Sequence, residues 1–220
     1  MPLLAPEHYS QHRKKIIKEK TYIMDQLIRI TKNITFADLK SGKKTPLDVY
    51  SEQMESWIFR PLVQLASDKK VTFENGYAMF ALELLFFEPH GKYLSGNSIS
   101  GSNKTFSHGF QSFLNYLQQN NLVDSNTLNK IQTSQFYKIS RCGIFHDMTI
   151  KSGLLIDSIH CGKTQVFYYN ASVNKILVSP WNFLDAQKKY FSDYIQTLVS
   201  NNQSTDYKNF EKTFKTLFKY

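Results

Sequence analysis

The segment Tyr137-Lys138-Ile139-Ser140-Arg141-Cys142-Gly143-Ile144-Phe145-His146-Asp147 concentrates reactive side chains at the end of an otherwise apolar stretch. Arginine is scarce in this chain: Arg13, Arg29, Arg60 and Arg141 stand against 23 lysines. Its rigid fork of donors matches phosphate oxygens in a way the lysine ammonium cannot. A histidine five residues on can act as general acid or base. A helix C-terminus favours the charged imidazole, and a neighbouring arginine opposes it. On an ideal helix, positions five apart lie about 140° from one another. The pair therefore shares no strict face, but both side chains can reach one cleft, more easily where Gly143 loosens the packing. Spacing alone favours a plainer reading, a capping histidine and a surface arginine.

Other candidates are weaker. His8 and His12 stand one helical turn apart and could reach one ion, but no third ligand is near them in sequence. Cys142 has His146 one turn away, a geometry open to nucleophilic chemistry but not a protease signature. Gly96 and Gly101 in SGNSISGSNKT have the spacing of a phosphate-binding loop. Ser102 and Asn103 separate the second glycine from Lys104 and no strand precedes it, which rejects that reading. Neither a metal site nor a cofactor site is predicted.

The elements that must carry the motif are mostly helices. Periodicity predicts a long helix over 7–31, a helix from Thr45-Pro46-Leu47-Asp48 to about Ala66 kinked near Pro61, and a very apolar one over 75–92 that carries Glu83. A flexible loop at 95–105 follows, then a helix over 106–119. Another starts near Ser125 or Ser134 and runs through His146. Residues 153–160, 164–170 and 175–179 are short and rich in Ile, Val, Phe and Tyr, with turn residues between them. They predict a small antiparallel β meander inserted after the motif helix, at about 153–179. Ser179-Pro180-Trp181 opens a helix over 180–200, and Asp206 starts the last one. The fold class expected is mainly α, as one domain over 1–220.

Charge is uneven. The net +9 includes ten Lys/Arg against three acids in residues 11–44, while residues 45–185 balance. Such an excess attracts polyanions, nucleic acid first among them, although a solvated lysine-rich face gives the same count. Two cysteines are too few for a disulfide framework, which suits a reducing compartment. No secretory signal opens the chain, and its most apolar stretch, 77–87, is half a membrane span. A cytoplasmic protein without a membrane segment is expected. The 17 Phe and 13 Tyr fall mostly on helical stripes and read as core.

ISRCGIFHDMTIKSG resembles the R-x4–6-H signature of the HEPN superfamily, in particular its bacterial members with an RCG-apolar-apolar-H form. The apolar helix, loop and SHGFQSFLNYL helix before it are similar to the family's arrangement, over about residues 75–160. The resemblance implies an HEPN-like helical bundle acting as a homodimer, with two motifs across one cleft. It implies a metal-independent endoribonuclease of a bacterial defence or toxin–antitoxin system, with RNA as substrate and an antitoxin or defence protein as partner. Arg141 and His146 would be the catalytic pair, Cys142 and Asp147 supporting residues, and Lys138 and Lys151 contacts to the RNA backbone. Cys142 stands where the family often has a polar residue. That departure keeps open an alternative, a non-catalytic HEPN-like module that binds RNA or protein.

Overall fold

A computed structural model describes Lys14, Lys18 and residues 28–67, 73–147, 149–151, 153–157 and 164–219. The chain divides into two compact units, Met1–Gln53 and Met54–Tyr220.

In the first unit Lys14 and Lys18 are helical, and the rest of the expected helix up to residue 27 lies outside the described residues. Its expected end, residues 28–31, is not helical. Arg29 pairs with Thr35 in an isolated antiparallel bridge, and the Phe36 N–H donates to the Ile28 carbonyl at 2.9 Å. Two capping boxes then start α1 (Phe36–Lys40) and α2 (Pro46–Met54). Thr35 and Asp38 satisfy each other's backbone N–H groups, and Thr45 and Asp48 do the same. The hydrogen bonds from Thr35, with Lys43 beside them, hold the Asp38 carboxyl down at about 2.

In the second unit the helix expected to kink at Pro61 is irregular one turn earlier. Residues Glu55–Phe59 are π-helical, with the Arg60 N–H donating to the Glu55 carbonyl, before α3 (Arg60–Ala66). Proline has no N–H to give, so the extra residue is accommodated ahead of it. The apolar run 75–92 is two helices rather than one, α4 (Phe73–Leu85) and α5 (Phe87–Ser95), with Phe86 at the break. Gly96, in the left-handed region at φ 61°, ends α5. The loop is shorter than expected because α6 (Ser102–Gln119) already includes residues 102–105.

α5 and α6 pack with almost no separation. A Cβ on Gly91 would lie 1.9 Å from the Thr105 carbonyl oxygen, and one on Gly109 would lie 2.3 Å from that of Phe87. Around this contact Phe87, Phe106, Phe110, Phe113, Phe167 and Phe183 are fully buried. Phe136 stacks on Phe110 at 4.3 Å and Tyr137 meets Phe106 edge-on at 5.1 Å, which seats the motif segment on α6. Pairs of this kind add about 0.5–1.5 kcal/mol each beyond their burial.

The motif stretch is built of short pieces: α7 (Ser125–Lys130), α8 (Thr133–Phe136), a π-helical segment Tyr137–Cys142, and α9 (Gly143–Asp147). The strands β1 (Leu154–Ile156), β2 (Phe167–Asn170) and β3 (Lys175–Val178) form a mixed sheet, not the antiparallel meander expected. The order is β1-β3-β2. β3 pairs antiparallel with β2 through Phe167↔Val178, and parallel with β1 through Leu154↔Ile176. Strand propensity marks each segment, but the pairing order is set by which edge the returning chain meets. β2 and β3 are joined by a tight turn, in which Asn174 adopts φ 52°. α10 (Pro180–Ser200), capped by Ser179, and α11 (Thr205–Phe218), capped by Ser204, complete a mainly helical fold. Among the described residues no helix is long and apolar enough to cross a membrane.

Candidate functional site

The motif begins where the helix changes its winding. A π-helical turn takes one more residue than an α-turn, so the side chains after it face differently from those an ideal helix would place. Ser140 is buried, and its hydroxyl donates to the Phe136 carbonyl at 2.6 Å, occupying an acceptor inside this turn. Gly143 is where the chain crosses itself. A Cβ there would lie 2.5 Å from the Thr149 carbonyl oxygen. The Thr149 N–H donates to the Gly143 carbonyl at 3.1 Å, and the Lys151 N–H to that of Ile139 at 3.0 Å. The glycine of the RCG triplet thus lets the following chain fold back over the motif, rather than loosening it.

Arg141 is held from three sides. Its Nη2 donates to Glu88 Oε2 at 3.2 Å, and its guanidinium lies 5.3 Å from the Phe145 ring centre and 5.7 Å from that of Tyr137. Glu88 in turn accepts from the Ser102 hydroxyl on its other oxygen, at 2.8 Å, with Lys92 Nζ 4.0 Å away. The ion pair is about a quarter exposed on the arginine side and a fifth on the glutamate side. Cys142 is a half-buried free thiol. It neighbours the Tyr137 hydroxyl, whose pKa is pushed up first by burial and then by this thiol. The position that often holds a polar side chain in the resembled family is therefore close to an aromatic hydroxyl.

His146 and Asp147 are exposed at the end of α9. Asp147 Oδ2 pairs with Lys151 Nζ at 2.8 Å. That bond lowers the carboxyl's pKa and raises the amine's, and His146 adds a smaller lowering to Asp147. The Lys151 side chain also lies against Gly143, its Cγ 3.4 Å from where a Cβ would stand. The structure thus gathers Arg141, Cys142, Asp147 and Lys151 around one fold-back, with His146 at its rim. Lys138 is exposed on the same segment. His8, His12 and Cys161 lie outside the described residues. Among the described residues no group of three His, Cys, Asp or Glu could hold a metal ion.

Sequence reasoning missed Glu88, Ser102 and the roles of Tyr137 and Phe145. Glu88 lies 53 positions before Arg141. Its signal was weak but present, an acid in the apolar stretch FFEPH beside a proline. No family model, curated protein or solved structure matches the chain.

Proposed function

We propose that the chain is a metal-independent endoribonuclease of the HEPN type, with Arg141 and His146 at its reactive centre. One observation carries this reading. The guanidinium of Arg141 is fixed by Glu88 and by two rings at the surface, five residues from an exposed imidazole. An arginine meant only to finish a helix needs no such support. In the reaction the ribose 2′-oxygen attacks the adjacent phosphorus and the bond to the 5′-oxygen breaks, leaving a 2′,3′-cyclic phosphate and a 5′-hydroxyl. The proton lost by the 2′-hydroxyl goes to a base, and an acid returns one to the leaving oxygen. His146 fills one of these roles, and the same residue of a second copy fills the other in a homodimer. Arg141 stabilises the charge that builds on the phosphate, using donors that the Glu88 contact leaves over from its five N–H groups.

RNA cleavage in excess chelator tests this, comparing wild type with His146→Ala and Arg141→Ala. Each substitution should lower the rate by about 100-fold or more, with circular dichroism unchanged because neither side chain is in the core. Equal cleavage by all three proteins overturns the reading. A second reading, a binding module without cleavage, is favoured by the same ion pair, since Glu88 offsets the charge that Arg141 would present, and by Cys142. It expects RNA affinity that survives His146→Ala and falls steeply with salt. A role in a defence or toxin–antitoxin system is part of the proposal and follows from the resemblance of the motif.

A further inference from the structure

We propose that the cleft between α7, α8 and the β2–β3 hairpin is a base-binding subsite that takes one nucleobase of single-stranded RNA together with its phosphate. Its role rests on the RNA-directed reading above, but its test does not.

The cleft encloses about 260 Å³. That is just below the range of about 300–1,000 Å³ that suits drug-sized ligands, and fits a single ring system. It is lined by the apolar Phe136, Ile139 and Ile176 and by four carboxamide residues, Asn129, Gln132, Gln135 and Asn174. Each carboxamide offers both a donor pair and an acceptor, the combination that reads the hydrogen-bonding edge of a base. Among the described residues no carboxylate lines it. Asn174 is already oriented, because the Tyr169 hydroxyl donates to its Oδ1 at 2.7 Å. The Lys130 ammonium lies 4.2 Å from the centre of the Tyr169 ring. A base entering here finds an apolar lining and, over Tyr169, a cation for its phosphate.

The cleft is also joined to the motif. Ile139 in its lining belongs to the π-helical segment that carries Arg141, and Gly153 in the same lining follows the fold-back over Gly143. A base selected in the cleft would decide which neighbouring phosphate meets Arg141.

The test uses the full chain and the 3′-monophosphates of uridine, cytidine, adenosine and guanosine, with inorganic phosphate as the control, titrated by calorimetry or NMR. The expected result is saturable binding at millimolar concentration with a preference for one base and weaker binding of phosphate alone. Gln135→Leu, an exposed position, should weaken the preferred nucleotide by about fivefold, the factor equivalent to one lost hydrogen bond. Lys130→Ala should weaken all four nucleotides together. Absence of nucleotide binding, or affinities unchanged in both variants, overturns the proposal. So does binding no tighter than that of inorganic phosphate. Cleavage that is indifferent to His146→Ala would overturn the ribonuclease reading, and leaves these titrations intact.

Discussion

At the motif, Arg141 keeps a carboxylate at 3.2 Å and about a quarter of its side chain in water. Beneath α10, Glu83 has neither. It is fully buried on α4, and neither of its oxygens has a hydrogen-bond partner among the described residues. Gln187 from α10 donates to the Glu83 backbone carbonyl at 3.0 Å, while its own buried side-chain oxygen is also unpartnered. Burial pushes the Glu83 carboxyl well above its ordinary value, so it is folded away as the neutral acid. His90, on α5, meets Tyr190 of the same helix α10 and is better served. Its Nε2 lies within hydrogen-bonding distance of the Tyr190 hydroxyl at 2.9 Å, and that hydroxyl is bonded to the Ser112 hydroxyl at 2.7 Å. Charge survives in this fold where it has both a partner and water. Where it has neither, the titratable group is kept neutral and serves packing. That difference separates the motif, where chemistry is affordable, from a core that happens to contain an acid and a base.

One helix supports both regions. α5 presents Glu88 to the motif and His90 to the seam under α10, and Gly91 locks it against α6. The largest effect is therefore expected from Gly91→Ala. The added methyl would meet a backbone carbonyl oxygen at 1.9 Å, which no rotamer change relieves. A loss of about 3 kcal/mol or more is expected in urea unfolding, at the upper end of overpacking costs. Any protein that remains folded should also lose RNA cleavage, because Glu88 moves with the helix. A stable, fully active Gly91→Ala would show that the two regions do not depend on this contact.

The next effects, on the order of a few kcal/mol, separate the two buried groups by pH. Glu83 has a raised folded pKa, so its stabilising share is full below about 4.5, its ordinary value, and is lost as pH rises through the higher folded value. His90 is held down to about 3, by burial first and by the charge of His108 second. As a base with a depressed folded pKa, it supports the fold above its ordinary 6.5 and that support is lost as pH falls toward about 3. Glu83→Gln should then gain melting temperature over wild type on going from pH 5 to pH 8, by about 2–4 °C for each kcal/mol recovered. His90→Phe should flatten the acid side instead. Parallel pH profiles for wild type and Glu83→Gln would mean that Glu83 finds a partner in solution, and the contrast with the motif would fail.

What could be read from the sequence was what is decided locally. The Thr45–Asp48 box and the Ser179–Pro180 helix start lie within a few residues of the groups they satisfy, and both are present. The break at Phe86 was readable but missed, because Pro89 has no N–H to give the Leu85 carbonyl and its ring crowds that group, so α4 ends at Leu85. The place of β3 between β1 and β2 was hidden, since turn residues mark where strands stop and not which strand they meet. The motif was visible as residue types. Its support was not, because the Glu88 carboxylate and the Arg141 guanidinium meet only through the tertiary fold.

Glu88→Gln tests that support directly. The amide keeps the size of the side chain and an acceptor for Ser102, and removes the charge opposite Arg141. The cost in stability should be about 1 kcal/mol, since the pair is partly buried. If Glu88 positions the guanidinium, cleavage should fall by about tenfold with the fold intact, whereas a purely structural ion pair would leave the rate unchanged. If the binding reading holds instead, removing the acid should tighten RNA, because one more positive charge faces the phosphates.

The smallest effect is expected at the rim. Asp147→Asn removes an exposed partner of Lys151, and exposed pairs contribute about 0–1 kcal/mol. Stability should change by less than about 0.5 kcal/mol, and Lys151 gains freedom to meet a phosphate. RNA affinity at low salt should therefore rise slightly, with a steeper dependence on salt concentration. A loss of several kcal/mol would show that the fold-back over Gly143 leans on this ion pair, and that charge at the motif also serves packing.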